Sequence, residues 1–97
     1  MSEKEVASYL GIHLKKWSLS EATIRRDFKF RDFPEAFSFM TAVAFEAEKM
    51  NHHPEWNNVY NKVSIALSTH EPTGITQHDM DLALKIDNLY SKFDKAL

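Results

Sequence analysis

Residues 32–54 read DFPEAFSFMTAVAFEAEKMNHHP, and this stretch decides the fold. Asp32 and Glu35 have the spacing of a helix start, and Pro34 is tolerated in the first turn, where its missing N–H would have no intrahelical acceptor. The pattern predicts one long helix from about Phe33 to Asn51. At about 100° per residue, its apolar side chains fall on one broad face that should cover a sheet: Ala36, Phe37, Met40, Val43, Ala44, Ala47 and Met50.

One aromatic residue of this helix, Phe45, points nearly opposite to the apolar face. Two interpretations remain open: an aromatic side chain tolerated at the surface, or a contact with a second copy of the chain. Ser38, Thr41 and Ala42 beside it are small enough for another helix to approach. The second interpretation predicts an oligomer contact on this side of the helix.

A short helix and a hairpin are predicted before the long helix. Ser2 and Glu5 have the spacing of a capping box, and Gly11 offers a stop. Two strands are predicted between residues 17 and 30, with an interruption at residues 20–22. Apolar residues support both elements at the spacing that each requires: Val6, Tyr9 and Leu10 for the helix, and Trp17, Leu19, Ile24, Phe28 and Phe30 for the hairpin.

Residues 56–69 allow two interpretations, one long strand or two strands joined by a turn. A single strand would scatter its aromatic residues over both faces of the sheet. A two-residue turn at positions 61–62 would instead place Trp56 opposite Leu67 and gather the apolar residues on one face. The sequence therefore favours a second hairpin.

A third helix is predicted from Thr76 to about Asp94, because Thr76 and Asp79 have the spacing of another capping box. The element order is then helix, two strands, helix, two strands, helix. This order predicts a two-layer α+β fold, in which three helices cover one face of a four-stranded antiparallel sheet. We expect residues 1–97 to form a single domain. The last helix presents one apolar stripe: Leu82, Ile86, Leu89 and Phe93.

The composition argues against several classes of protein. Twelve Lys and Arg against fourteen Asp and Glu give a formal net charge of -2. Proteins that bind the phosphate backbone of nucleic acids are normally basic, so this balance argues against that class. The absence of cysteine excludes disulfides, thiolate metal sites and cysteine nucleophiles. No apolar run approaches the roughly 20 residues of a membrane span, and the polar start is unlike a secretory signal. We expect a cytoplasmic protein with neither a nucleic acid nor a membrane as partner.

Four of the five histidines lie between positions 52 and 78, near the ends of predicted elements. Histidine changes charge near neutral pH, so this density suggests proton handling or metal binding. Glu48 and His52 are four residues apart at the end of the long helix, where the carboxylate could orient the imidazole. Pro54 halts the helix, so His52 and His53 need not point the same way.

A spaced set of residues runs through this part of the chain: Glu48-x-x-x-His52-His53-Pro54, then Tyr60, His70 and Asp79, with Pro54-Glu55-Trp56 and Leu67-Ser68-Thr69-His70-Glu71 in finer detail. The set resembles the signature of the pterin-4a-carbinolamine dehydratases, a family that includes dimerisation cofactors of hepatocyte nuclear factor. The resemblance runs from about Trp17 through the final helix and is most specific from Phe37 to Asp79.

The resemblance implies an enzyme that removes water from 4a-hydroxytetrahydropterin to give quinonoid dihydropterin, in tetrahydrobiopterin recycling, without a metal or organic cofactor. A proton must reach the leaving oxygen and another must leave the ring N5, and two groups that titrate near pH 7 suit this task. The resemblance implies His52 and His70 as the acid–base pair, in an order that the sequence leaves open, with His53 positioning the pterin. The implied catalytic residues are thus His52, His53 and His70, and the implied substrate-binding residues are Glu48, His52, His53, Pro54, Thr69, His70, Glu71 and Pro72.

Two positions depart from the family pattern. Asn51 stands where relatives often have an acidic residue, and His78 stands where they often have arginine. Histidine supplies a pH-dependent charge where arginine supplies a permanent one. We therefore expect turnover to depend more steeply on pH than in relatives with arginine at this position.

Two rival interpretations remain. A metal site built on Glu48, His52 and His70 or His78 is disfavoured, because no His-Glu-x-x-His motif is present. An interaction module is the stronger rival, since some members of the family dock onto a transcription factor. Membership would also imply a homodimer or homotetramer.

Overall fold

The computed structural model describes residues 1–94, so the last three residues of the predicted domain lie outside the described residues. None of the helices in this range combines the length and apolarity that a membrane crossing needs. The described elements follow one another in this order: α1 Glu3–His13, β1 Ser18–Ser20, β2 Thr23–Lys29, α2 Phe33–Met50, β3 Glu55–Val59, β4 Lys62–Leu67, β5 Thr69–His70, β6 Thr73–Gly74 and α3 Gln77–Asp94.

The first four strands form one antiparallel sheet in the order β1-β2-β4-β3. In its centre, Ile24 of β2 lies opposite Leu67 of β4, and both are buried in the core that the sheet forms with the helices. Side chains at alternate positions, such as Arg25 and Asp27, point to the open face. The predicted α+β fold and element order are confirmed. One element was not predicted, the two-stranded β5–β6 pair.

Helix α2 begins and ends close to where the sequence predicts. Its N-cap is Asp32, whose side chain accepts a hydrogen bond from the Glu35 N–H. The buried face is narrower than predicted, because Phe37 and Ala44 are exposed at its margin. Phe39 is instead fully buried, with its ring 4.9 Å from that of Phe30. The buried residues of this helix are Ala36, Phe39, Val43 and Ala47.

Helix α1 has the predicted capping box but not the predicted end. The Ser2 backbone N–H and then the Ser2 hydroxyl lower the pKa of Glu5 by hydrogen bonding. Gly11 does not stop the helix, which continues to His13. Glycine in a helix costs only about 1 kcal/mol relative to alanine, and full burial of Leu14 just beyond the helix outweighs this cost.

Both predicted hairpins form, but the register predicted for the second is wrong. Trp56 lies opposite Ile65 rather than Leu67. The turn is at Tyr60 and Asn61, one residue earlier than predicted. Tyr60 has φ 53°, and the Asn58 side-chain amide donates to its carbonyl at 3.0 Å, which stabilises the turn in this position.

Candidate active site

The end of α2 determines where the two adjacent histidines point. Asn51 adopts the left-handed conformation, with φ 50°, which asparagine tolerates better than most residues. Its N–H donates to the Glu48 carbonyl at 3.1 Å, and the His52 N–H donates to the Ala47 carbonyl at 3.0 Å, the pattern of a Schellman motif. The chain thus leaves the helical path before His52. The predicted pairing of Glu48 with His52 is wrong, because Glu48 contacts His53 instead.

Asp79 is the carboxylate that pairs with His52. Nε2 of His52 and Oδ1 of Asp79 are 2.6 Å apart. The Asp79 side chain is 0% exposed and the His52 side chain 13%, so little water competes for the contact. The pair joins the end of α2 to the first turn of α3 and fixes the His52 ring between them.

The Asp79 carboxylate is held by two further donors on its other oxygen. Oδ2 accepts a hydrogen bond from the Thr76 N–H at 2.9 Å and another from the Thr69 hydroxyl at 2.8 Å. The Thr76 hydroxyl lies 2.8 Å from Thr69 Oγ1. The predicted capping box is therefore confirmed in one half only. Asp79 caps the Thr76 N–H, whereas the Thr76 hydroxyl contacts Thr69 instead of the Asp79 N–H.

The second histidine–carboxylate pair lies at the surface. Nε2 of His53 and Oε1 of Glu48 are 2.9 Å apart. Their side chains are 60% and 77% exposed, so water competes strongly for this contact. The pair orients the His53 ring against the last turn of α2 without enclosing it.

The β5–β6 pair carries the other candidate residues. Thr69 is half-buried and faces Asp79, whereas His70, Glu71 and Pro72 are exposed. The Thr73 hydroxyl donates to the His70 carbonyl at 3.1 Å and stabilises the tip of this hairpin. Because Thr69 and His70 are consecutive, the network around Asp79 also fixes the backbone next to His70.

His78 also lies close to His52. The centroids of their rings are 5.8 Å apart, and His78 is exposed at the start of α3. A cavity of about 590 Å³ lies beside His78 but is not lined by His52; its lining residues are Met50, His78, Asp81, Leu84 and Lys85.

Two other cavities lie on the open face of the sheet, with volumes of about 370 and 450 Å³. Pro54 lines the larger one together with Trp56, whereas none of His52, His53 and His70 lines either. Across residues 1–94, no group of three or more His, Asp or Glu side chains is arranged to hold a metal ion.

The structure brings some of the predicted site residues together and separates others. His52 and Thr69 both contact Asp79, whereas His53 and Glu48 form a separate pair. From the sequence, Asp79 is predicted as a helix cap, and Thr76 has no predicted part in the site. The spaced signature did contain Asp79, so that signal was available. Nothing in the sequence indicated that the Thr76 hydroxyl would contact Thr69.

The chain is thus a small α+β protein in which an imidazole paired with a buried carboxylate joins two helices beside a short hairpin. Comparison with known proteins identifies the family. The family model described as pterin 4 alpha carbinolamine dehydratase matches residues 1–89. The chain belongs to the pterin-4-alpha-carbinolamine dehydratase family.

Relatives in several bacteria support this membership. A protein of Rhizobium meliloti (strain 1021), provisionally named pterin-4-alpha-carbinolamine dehydratase, is 52% identical over 90 residues, which cover 88% of this chain and 86% of that protein. A protein of Paraburkholderia xenovorans (strain LB400) with the same provisional name is 49% identical over 88 residues, which cover 91% and 92% of the two chains.

Solved structures agree with the fold. A transcriptional coactivator/pterin dehydratase from Brucella melitensis superposes with a TM-score of 0.88 at 39% identity, covering 93% of this chain and 97% of that one. A pterin dehydratase-like protein identified as a RuBisCO assembly factor in the alpha-carboxysome superposes with a TM-score of 0.64 at 20% identity, covering 76% and 86%. The second likeness shows a shared fold alone.

Proposed function

We propose that this protein dehydrates a pterin-4a-carbinolamine to the quinonoid dihydropterin, in tetrahydrobiopterin recycling, by acid–base catalysis with His52 and His70. The observation that carries the proposal is the His52–Asp79 pair, in which a buried carboxylate holds one ring nitrogen at 2.6 Å. Membership of the family supports the same reaction.

The reaction needs one acid and one base. The N5 lone pair forms the bond to C4a as the C4a–O bond breaks, and the leaving hydroxyl takes a proton from the acid to become water. The N5 proton passes to the base. The enzyme regains its starting state when a proton moves from the base to the acid through solvent. Each such group typically contributes about 10²-fold to 10⁴-fold, so two imidazoles are sufficient.

His52 is suited to one of these tasks because Asp79 restricts its ring to one orientation. His70 is suited to the other because its ring is exposed and its backbone is anchored next to Thr69. A bicyclic ring bound between them would have His53 and Glu48 at one margin. Pro54, Glu71 and Pro72 are proposed as the remaining wall, with Thr69 acting through Asp79.

Self-association is part of the proposal, as a homodimer or homotetramer. Phe33, Phe37 and Phe45 are exposed along α2, and the rings of Phe33 and Phe37 lie 6.0 Å apart. An exposed apolar patch often marks a contact with another protein. Thr41 lies between Phe37 and Phe45 on the same side. Replacing Phe45 with glutamate should shift the chain to a smaller species in sedimentation velocity, and an unchanged sedimentation coefficient would contradict this contact.

An interaction module is the second candidate function. It is favoured by the same exposed face and by the likeness to the Brucella melitensis protein, which is described as a transcriptional coactivator/pterin dehydratase. This candidate predicts full binding of a protein partner in a variant that lacks His52, whereas the dehydratase proposal predicts loss of turnover in that variant.

The test follows the ultraviolet absorbance of a 4a-carbinolamine as it is consumed, with the spontaneous rate subtracted. Wild type, His52→Ala and His70→Ala are compared with His13→Ala, which removes a histidine in the last turn of α1. We expect wild type and His13→Ala to accelerate the reaction equally and the other two variants to lose most of that acceleration. A wild-type rate equal to that of buffer would remove the proposal.

A further inference from the structure

We propose that Thr76 and Thr69 are positioning residues that fix His52 in one tautomer, with the proton on Nε2 and Nδ1 free to meet a ligand. The catalytic consequence rests on the proposed function, whereas the tautomer does not. The geometry that carries the inference is a continuous chain of hydrogen bonds from Thr76 through Thr69 and Asp79 to His52.

The direction of each bond follows from what its atoms can do. The Thr76 N–H can only donate, so Asp79 Oδ2 accepts it. The Thr69 hydroxyl is 2.8 Å from the same oxygen and donates its single proton there. Thr69 Oγ1 can then only accept from the Thr76 hydroxyl, 2.8 Å away. Both donors thus converge on a carboxylate that acts as an acceptor.

The remaining oxygen of Asp79 determines the state of the imidazole. Oδ1 lies 2.6 Å from Nε2 of His52. An acceptor at that distance requires a proton on Nε2, and a neutral imidazole carries only one proton. Nδ1 is therefore the unprotonated nitrogen of the neutral ring.

Nδ1 is also the nitrogen that a ligand can reach. It has no hydrogen-bond partner among the described residues, yet no buried side-chain nitrogen or oxygen in that part of the chain lacks a partner. Nδ1 is therefore not a buried atom and must reach the surface. The network thus pairs Nε2 of His52 with Asp79 and leaves Nδ1 as a proton acceptor at the surface.

The Thr76 hydroxyl is needed because it orients the Thr69 hydroxyl. Without it, Thr69 can rotate about its Cα–Cβ bond and direct its proton elsewhere. Asp79 would then lose one of the two donors on Oδ2, and its carboxylate would turn more freely against His52. Thr69 also precedes His70, so the same hydroxyl couples the positions of the two proposed acid–base residues.

The direct test is an NMR experiment on protein with ¹⁵N-labelled histidine, in which long-range ¹H–¹⁵N correlations show which ring nitrogen of His52 carries the proton at alkaline pH. Wild type should show the Nε2–H tautomer alone. Thr76→Val and Thr69→Val should show a mixture of both tautomers, whereas Thr76→Ser keeps the hydroxyl and should match wild type. Thr73→Val is the matched control, because its hydroxyl donates only to the His70 carbonyl at the exposed tip of the hairpin.

Two results would overturn the inference. One is a wild-type His52 that carries its proton on Nδ1. The other is a Thr76→Val protein whose His52 correlations equal those of wild type. These results do not depend on turnover, so an inactive wild type with the Nε2–H tautomer would remove the proposed function and leave the inference standing.

Turnover supplies a second measurement. Thr76→Val should lower kcat by about three- to tenfold, because only a fraction of the molecules would present Nδ1 correctly, and KM should change less than twofold. Thr76→Ser should restore kcat to within twofold of wild type. Equal kcat for Thr76→Val and wild type would contradict the positioning role.

Discussion

Two adjacent histidines each pair with a carboxylate, yet the two pairs differ in almost every physical respect. His52 and Asp79 are 2.6 Å apart, with side chains 13% and 0% exposed. His53 and Glu48 are 2.9 Å apart, with side chains 60% and 77% exposed. The contact alone does not make an imidazole useful for catalysis. Burial of the partner and its additional hydrogen bonds are what hold the ring in one geometry.

The energies expected for the two pairs differ accordingly. Removing one partner from a buried pair costs about 3–5 kcal/mol, because the other is left without compensation. An exposed pair contributes about 0.2–1 kcal/mol. The His52–Asp79 pair should therefore have the larger effect on both stability and turnover, and the exposed pair the smaller.

The largest expected effect is the difference in kcat/KM between variants that lack His52 and variants that lack His53. His52→Ala should lower kcat/KM by about 10²-fold to 10⁴-fold, the usual contribution of a general acid or base. His53→Ala should cost less than about tenfold, mainly through KM, because its ring is proposed to position the substrate. Steady-state kinetics on the two variants measures the difference, and equal losses would show that burial does not distinguish them.

The next effect is on stability. Asp79→Ala should lower the free energy of unfolding by about 3 kcal/mol, since it leaves the His52 ring and the Thr76 N–H without their acceptor. Glu48→Ala should change it by less than about 1 kcal/mol. Urea unfolding followed by circular dichroism would measure both, and similar midpoints for the two variants would contradict the comparison.

A smaller effect is expected on turnover when the carboxylate becomes an amide. Asp79→Asn keeps the shape but replaces one of the two acceptor oxygens with an amide donor, which conflicts either with the His52 ring or with the donors at Oδ2. We therefore expect kcat to fall by about 10-fold to 100-fold, the range found when a partner that orients a metal-binding histidine is removed. Glu48→Gln should leave kcat within about threefold. A larger loss of kcat in Glu48→Gln than in Asp79→Asn would contradict this prediction. It would indicate that the His53–Glu48 pair, and not the His52–Asp79 pair, contributes more to turnover.

The smallest effect concerns the charge next to the buried pair. The ring of His78 lies 5.8 Å from that of His52. A histidine side chain can gain or lose its charge near neutral pH, whereas an arginine side chain stays charged. His78→Arg should therefore flatten the pH–rate profile around neutral pH, with kcat near pH 7 changed by less than about threefold. Superimposable profiles for this variant and wild type would exclude an electrostatic role for His78.

The fold was predictable because its signals are local and periodic. Capping residues such as Ser2 and Asp32 begin helices where they are expected, and alternating apolar residues define the strands. The errors arose where packing decides between near-equal local choices. Phe39 is buried on one face of α2, and Trp56 pairs with Ile65. Both outcomes depend on residues that are distant in the sequence.

The sequence predicts the candidate residues of the site, which remain predictions, but not the contacts that these residues make with one another. The spacing of Glu48 and His52 suggested a contact on one helical face, but the left-handed Asn51 ends the helix before that geometry can form. The true partner of His52 lies 27 residues away, which no local pattern can reveal. The role of Thr76 depends on a contact between its hydroxyl and that of Thr69, which a local sequence pattern does not show.

A double-mutant cycle on kcat/KM, made from His52→Ala, Asp79→Asn and the double variant, tests most directly whether the two side chains act as one catalytic unit. Asp79→Asn should lower kcat/KM strongly in wild type and have a much smaller effect once His52 is replaced, because only its contact with Thr69 next to His70 then remains. A double variant whose losses equal the product of the two single losses would show that Asp79 does not act through His52.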